Sequence, residues 1–89
     1  MASVIPAFMS AMQDPTLRGH PREVYIWLHE NLDIREFREV KQSVIETDLG
    51  LRDSTVYRAL TRLVERGYLD PGPIQGRIRS YRLFYSVRK

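Results

Sequence analysis

Four arginines carry most of the chemistry that this sequence of 89 residues offers. Arg58 and Arg62 are one helical turn apart in a stretch where Val56, Ala59, Leu60, Leu63 and Val64 follow an i, i+3, i+4, i+7, i+8 rhythm. That rhythm predicts a helix over residues 54–66 with one buried stripe and both guanidiniums turned away from it. Arg77 and Arg79 fall in a segment broken by Asp70-Pro71-Gly72-Pro73 and by Gly76, which reads as an exposed hairpin loop over residues 70–79. A guanidinium is a permanent, forked cation whose donors match phosphate oxygens or the guanine edge in the major groove. The competing reading is a solvated helix face in which Glu65 neutralises Arg62. Ser54, Thr55 and Tyr57 lie at the start of the same helix. Each has the hydroxyl to touch a phosphate or a base, but Ser54 would equally serve as a helix cap and Tyr57 as part of the core. Arg82 and Lys41 are weaker candidates.

Catalysis finds no seat in the sequence. Cysteine is absent, which removes thiolate chemistry and cysteine-ligated metals. The two histidines, His20 and His29, are nine apart, which does not put two metal ligands on one helical face. There is no Gly-rich phosphate loop, no nucleophile with an identifiable base and no acidic cluster. The expectation is therefore no catalytic residue, no metal, no cofactor and no enzyme activity. Trp27 is expected as a core anchor whose indole N–H needs a partner.

The charge is unevenly divided. Residues 1–49 hold five Arg or Lys against eight Asp or Glu, whereas residues 50–89 hold nine against three. Concentrated positive charge attracts polyanions, a phosphate backbone above all, through counterion release. With 43% hydrophobic and 28% charged residues, the composition is that of a folded soluble protein with one small core. The apolar stretch 4–12 contains Pro6, lacks a basic leader and is too short to span a bilayer, so a cytoplasmic protein with no membrane contact is expected.

Further elements must position the arginines. Pro21 suits a helix start, and Val24, Trp27, Leu28 and Leu32 predict a helix over residues 22–31. Residues 33–39 read as a connector or a brief strand. A further helix from residue 40 or 41 to 49 would bury a face made of Val44, Ile45 and Leu49, with Gly50 as a left-handed stop. Tyr81, Leu83, Tyr85 and Val87 alternate with Arg82, Phe84, Ser86 and Arg88, which predicts a strand whose antiparallel partner begins at Tyr68 and Leu69. At the N-terminus Ile5, Phe8, Met9 and Met12 form an apolar stripe of helical spacing, to be buried against the core or against a partner.

The succession Gln42-Ser43-Val44-Ile45-Glu46-Thr47-Asp48-Leu49-Gly50-Leu51, then Asp53-Ser54-Thr55-Val56-Tyr57-Arg58-Ala59-Leu60, resembles the helix-turn-helix of bacterial winged-helix regulators of the MarR, GntR and PadR groups. Leu63-Val64-Glu65-Arg66-Gly67-Tyr68-Leu69 and Tyr81-Arg82-Leu83 resemble the end of their recognition helix and their second wing strand. Two positions depart from the pattern. Glu46 replaces a small residue, so either the helices cross with extra room or Glu46 reaches the surface. Arg52 replaces a Ser or Thr cap, leaving Asp53 or Ser54 to accept the first helical N–H groups. The resemblance implies an α+β, mainly α, winged helix-turn-helix fold with a C-terminal β-hairpin wing. Residues 1–19 would be an N-terminal extension and candidate dimerisation helix, and residues 20–89 the DNA-binding domain.

The function so implied is sequence-specific binding of double-stranded DNA by a homodimeric transcription regulator. The recognition helix 54–66 would lie in the major groove and the wing 70–80 on flanking DNA. Expected DNA ligands are Ser54, Thr55, Tyr57, Arg58, Arg62, Arg77 and Arg79. A phage or plasmid replication or partition accessory protein on the same fold is an alternative. So is a winged helix used as a protein-interaction module, since a fold does not fix a function. The sequence names no small-molecule effector.

Overall fold

The computed structural model describes residues 5–76 and 78–88. Proline opens the first two helices: Pro6 starts α1 (Pro6–Gln13), and Pro21 lies in the first turn of α2 (His20–Asn31), where its missing N–H is not needed by the helix. A short 3-10 turn at Pro15–Leu17 joins them, capped by the Asp14 carboxylate, which accepts from the Thr16 amide at 2.9 Å. After α2 the Asp33 carboxylate accepts from the amides of Arg35 and Glu36, both at 2.8 Å, and this local turn delivers the chain into a two-residue strand, β1 (Arg38–Glu39).

Helix α3 (Gln42–Leu49) ends at Gly50, whose φ of 65° is left-handed, and the amides of Gly50 and Leu51 both donate to the Glu46 carbonyl. Helix α4 (Asp53–Glu65) follows two residues later. It begins one residue before the expected start and ends one before the expected end. Arg52 is its N-cap residue without a side-chain hydrogen bond, and Asp53 Oδ1 accepts from the Ser54 amide at 2.7 Å. The Gln42 amide side chain donates to the Asp53 carbonyl at 2.9 Å and ties the two helix starts together. Strands β2 (Leu69–Pro71) and β3 (Ser80–Leu83) complete a three-stranded antiparallel sheet in the order β1-β3-β2, with Leu69 opposite Leu83 and Pro71 opposite Tyr81. The fold is α+β and mainly helical, with four α-helices among the described residues. Among the described residues no helix is long and apolar enough to cross a membrane.

The core sits where α2 crosses α4, around fully buried Tyr25, Leu28, Ile45, Val56 and Leu63, and the sheet closes it with Leu69, Tyr81 and Leu83. On α4 the expected stripe is buried at Val56, Ala59, Leu60 and Leu63, while Val64 is half-buried. One expectation for α3 needs correction. Val44 is exposed, so α3 offers Ile45 and partly buried Leu49 to the core. The α2–α3 seam is instead closed by Trp27, half-buried, whose indole N–H donates to Asp48 Oδ2 at 2.8 Å. Glu46 is half-exposed and reaches only Gln42, so the crossing needs no room for it.

The strand expected to reach Val87 stops at Leu83, because the backbone beyond finds other partners. Phe84 donates to the Tyr68 carbonyl, the Ala7 amide at the start of α1 donates to the Tyr85 carbonyl at 3.0 Å, and Arg88 donates to the Gly67 carbonyl at 2.9 Å. Gly67 is at φ 82°, and a Cβ built there would lie 1.9 Å from the Arg88 carbonyl oxygen. Helix α1 joins the same core through Ala7 and Ala11, both fully buried, and through the Phe8 ring, which packs against Tyr25 and His29 of α2. Of the apolar stripe, Ile5, Phe8 and Met12 pack against that core and Met9 remains exposed. Residues 5–19 therefore share their packing with the rest of the described chain.

Asp14 fastens this N-terminal layer to the hairpin. Its Oδ2 accepts from the Tyr68 hydroxyl at 2.8 Å and lies 3.7 Å from Arg66 Nε. Burial pushes the Asp14 carboxyl up, but the hydrogen bonds from Thr16 and Tyr68 and the Arg66 charge outweigh it and hold the group below its ordinary range. Burial and the neighbouring carboxylate push the Tyr68 phenol up to about 12.

Candidate nucleic-acid interface

The outward face of α4 is a ridge between two grooves. Ser54, Arg58, Thr61, Arg62 and Glu65 are exposed along it, as the helical phase requires once Val56, Ala59, Leu60 and Leu63 are buried. Thr55, Arg58 and Arg62 line the groove on one side, with His20 and Pro21 of α2 opposite. Tyr57 and Thr61 line the groove on the other side, facing Gln42, Pro71 and Arg79.

Tyr57 is 51% exposed and therefore a surface residue. Its ring lies under the Arg79 guanidinium, 5.9 Å from the ring centroid, so the helix and the hairpin meet through a cation over an aromatic face. Arg58 Nε reaches the Ser54 carbonyl at a long 3.4 Å and Arg62 Nη1 the Thr16 carbonyl at 3.5 Å. Contacts of that length leave most of the guanidinium donors open to other acceptors. Thr55 is half-buried in its groove, and Ser54 is exposed beside the start of the helix. Arg77 lies outside the described residues. Six of the expected residues, Ser54, Thr55, Tyr57, Arg58, Arg62 and Arg79, thus fall on α4 and the hairpin that flanks it.

Ion pairing divides the arginines of the basic half into two sets. Arg82 Nε is 2.6 Å from Asp70 Oδ2 across the β2–β3 ladder, and its guanidinium lies over the Phe37 ring at 4.5 Å. Arg66 is paired with Asp14. Among the described residues, Arg52, Arg58, Arg62 and Arg79 have no carboxylate within ion-pair distance, nor has Arg88, which follows β3 and lies over the Phe84 ring at 5.6 Å. Glu65 and Arg62, the pair of the competing reading, form no ion pair, and Asp53 and Glu65 stand at the two ends of α4. Arg82, a weaker candidate from the sequence, is a structural residue of the sheet.

Sequence reasoning missed His20, Gln42 and Arg52. His20 reaches the Arg62 groove only because α2 crosses α4, and Gln42 reaches the Tyr57 groove only because α3 abuts the start of α4. Neither juxtaposition has a local signal. Arg52 was legible as a departure from the usual cap, and it stands at the start of α4 without a side-chain hydrogen bond to the helix. Among the described residues no group of three or more His, Asp or Glu side chains is placed to hold a metal ion. The chain matches no family model, no curated protein and no solved structure.

Proposed function

We propose that this chain is a winged helix-turn-helix protein that binds double-stranded DNA in a sequence-specific manner and regulates transcription. In this reading α3 and α4 are the helix-turn-helix, α4 is the recognition helix, and β2, β3 and the loop between them are the wing. The observation that carries it is, among the described residues, the set of four arginines without carboxylate partners, three on or next to α4 and one on the adjoining hairpin, while Arg66 and Arg82 are ion-paired. Helix α4 has 13 residues. At 1.5 Å per residue it is about 20 Å long, a rod that a major groove about 12 Å wide accepts. Arg58 and Arg62 would meet base edges and the phosphates beside them, and Arg79 the flanking backbone.

Two copies acting on related half-sites would supply the footprint that one small domain lacks. Met9, 53% exposed on α1, and its half-buried neighbours Phe8 and Met12 are the surface proposed for that homodimer. Selection of bound sequences from random duplex DNA tests the reading. An enriched motif, palindromic for a dimer, is expected. Absence of binding to any duplex at low salt overturns the reading in favour of a protein-interaction module, and a monomer in sedimentation at high micromolar concentration removes the free dimer.

A further inference from the structure

The hairpin carries the most exposed large apolar side chain among the described residues. Ile74 is 66% exposed, and Ile78 across the tip is 48% exposed. The tip is not slack. The Gln75 amide donates to the Ile78 carbonyl at 3.2 Å and the Ile78 amide donates back at 3.0 Å, closing a tight turn at Gly76, whose φ is 64°. Ile74 and Arg79 line one shallow pocket with Pro71 and Tyr81. Arg79 also lies over Tyr57, so Ile74 is next to the arginine through which the hairpin meets α4.

We propose that Ile74 is a wedge that enters between two base pairs of the duplex flanking the α4 site, kinking it, while Arg79 holds the adjacent phosphate. The inference rests on the duplex-binding reading above. An aliphatic side chain on a pinned tip can replace part of the stacking it interrupts, and the neighbouring guanidinium supplies the charge that keeps the tip against the backbone. An anionic membrane is the other surface that an apolar tip beside an arginine could enter. The surroundings favour DNA: the ridge beside the hairpin presents the polar Ser54, Arg58, Thr61, Arg62 and Glu65, and the exposed ring that faces the hairpin, Tyr57, lies under the Arg79 guanidinium.

The test uses the full chain and an end-labelled duplex of about 30 base pairs carrying the selected motif, with anisotropy reporting binding and energy transfer between the ends reporting bending. The wild-type chain should bend the duplex by roughly 20–90°. It should also bind roughly tenfold tighter when the flank holds a flexible pyrimidine–purine step than when it holds a stiff A-tract. Ile74→Ser should bind without bending, and Ile74→Leu should restore the bend. Binding by the wild-type chain with no bend, or equal bending by Ile74→Ser, overturns the wedge and leaves the duplex reading intact. No duplex binding at all overturns both. Sedimentation with phosphatidylserine vesicles that is lost in Ile74→Ser, without duplex bending, assigns the tip to a membrane and overturns the proposal.

Discussion

Neutralising the free arginines in pairs should change how salt weakens DNA binding by an amount set by the ion-pair inventory. Each phosphate neutralised contributes about −0.9 to the slope of log affinity against log salt. If Arg52, Arg58, Arg62 and Arg79 each meet one phosphate equivalent, the slope is about −3.6, and affinity falls roughly 150-fold between 50 and 200 mM salt. Arg58→Ala with Arg62→Ala should reduce the slope to about −1.8, a loss of only about 12-fold over the same range. Arg82→Ala should leave the slope near its wild-type value, since its guanidinium is held by Asp70 at 2.6 Å and by the Phe37 ring. A contribution from Arg77 would raise every slope by about 0.9 and leave the differences unchanged. Fluorescence anisotropy of a labelled duplex in a salt titration reads these slopes directly. An unchanged slope in the Arg58/Arg62 double variant, or an equal reduction in Arg82→Ala, would refute the division into free and paired arginines.

On the recognition helix, Arg58→Ala should lose about 1–3 kcal/mol of discrimination between the selected motif and random DNA, whereas Arg79→Ala should weaken both evenly. Competition binding separates the two outcomes. Gly67→Ala should lower stability by about 2–3 kcal/mol in urea unfolding, from the left-handed backbone at about 1–2 kcal/mol and about 1 kcal/mol for the displaced Arg88 hydrogen bond. A shift below about 0.5 kcal/mol would mean that the C-terminal segment yields freely. The Asp14 carboxyl is held below its ordinary value of 3.8, so its contribution is fully present above that value and lost as pH falls through the lower, folded-state value. Asp14→Asn should flatten this acid limb of the stability curve, and an unchanged limb would show that the Tyr68–Asp14–Arg66 contact is not what acid breaks.

Much of the architecture was legible before any coordinates because it depends on neighbours within a turn or two of chain. The 3.6-residue rhythm of Val56, Ala59, Leu60 and Leu63 sets the phase of α4, and that phase alone turns Arg58 and Arg62 outward. Gly50 marks the end of α3 because its left-handed φ suits a residue without a Cβ. The surplus of positive charge after residue 49 is likewise a property of composition. Tertiary structure decided which of those charges are free. Arg66 and Arg82 look no different in sequence from Arg62 and Arg79, yet the first two are quenched by Asp14 and Asp70. The Asp14 carboxylate is brought by packing to Tyr68, 54 residues away along the chain. Ala7 and Ala11, inconspicuous beside Phe8 and Met9, are the residues that α1 buries fully, while Phe8 stays half-buried against the rings of Tyr25 and His29. The strand ends at Leu83 for a tertiary reason too. Alternation of side chains continues to Val87, but hydrogen-bond partners are supplied from elsewhere in the fold, and beyond Leu83 they belong to Gly67, Tyr68 and α1 rather than to a sheet.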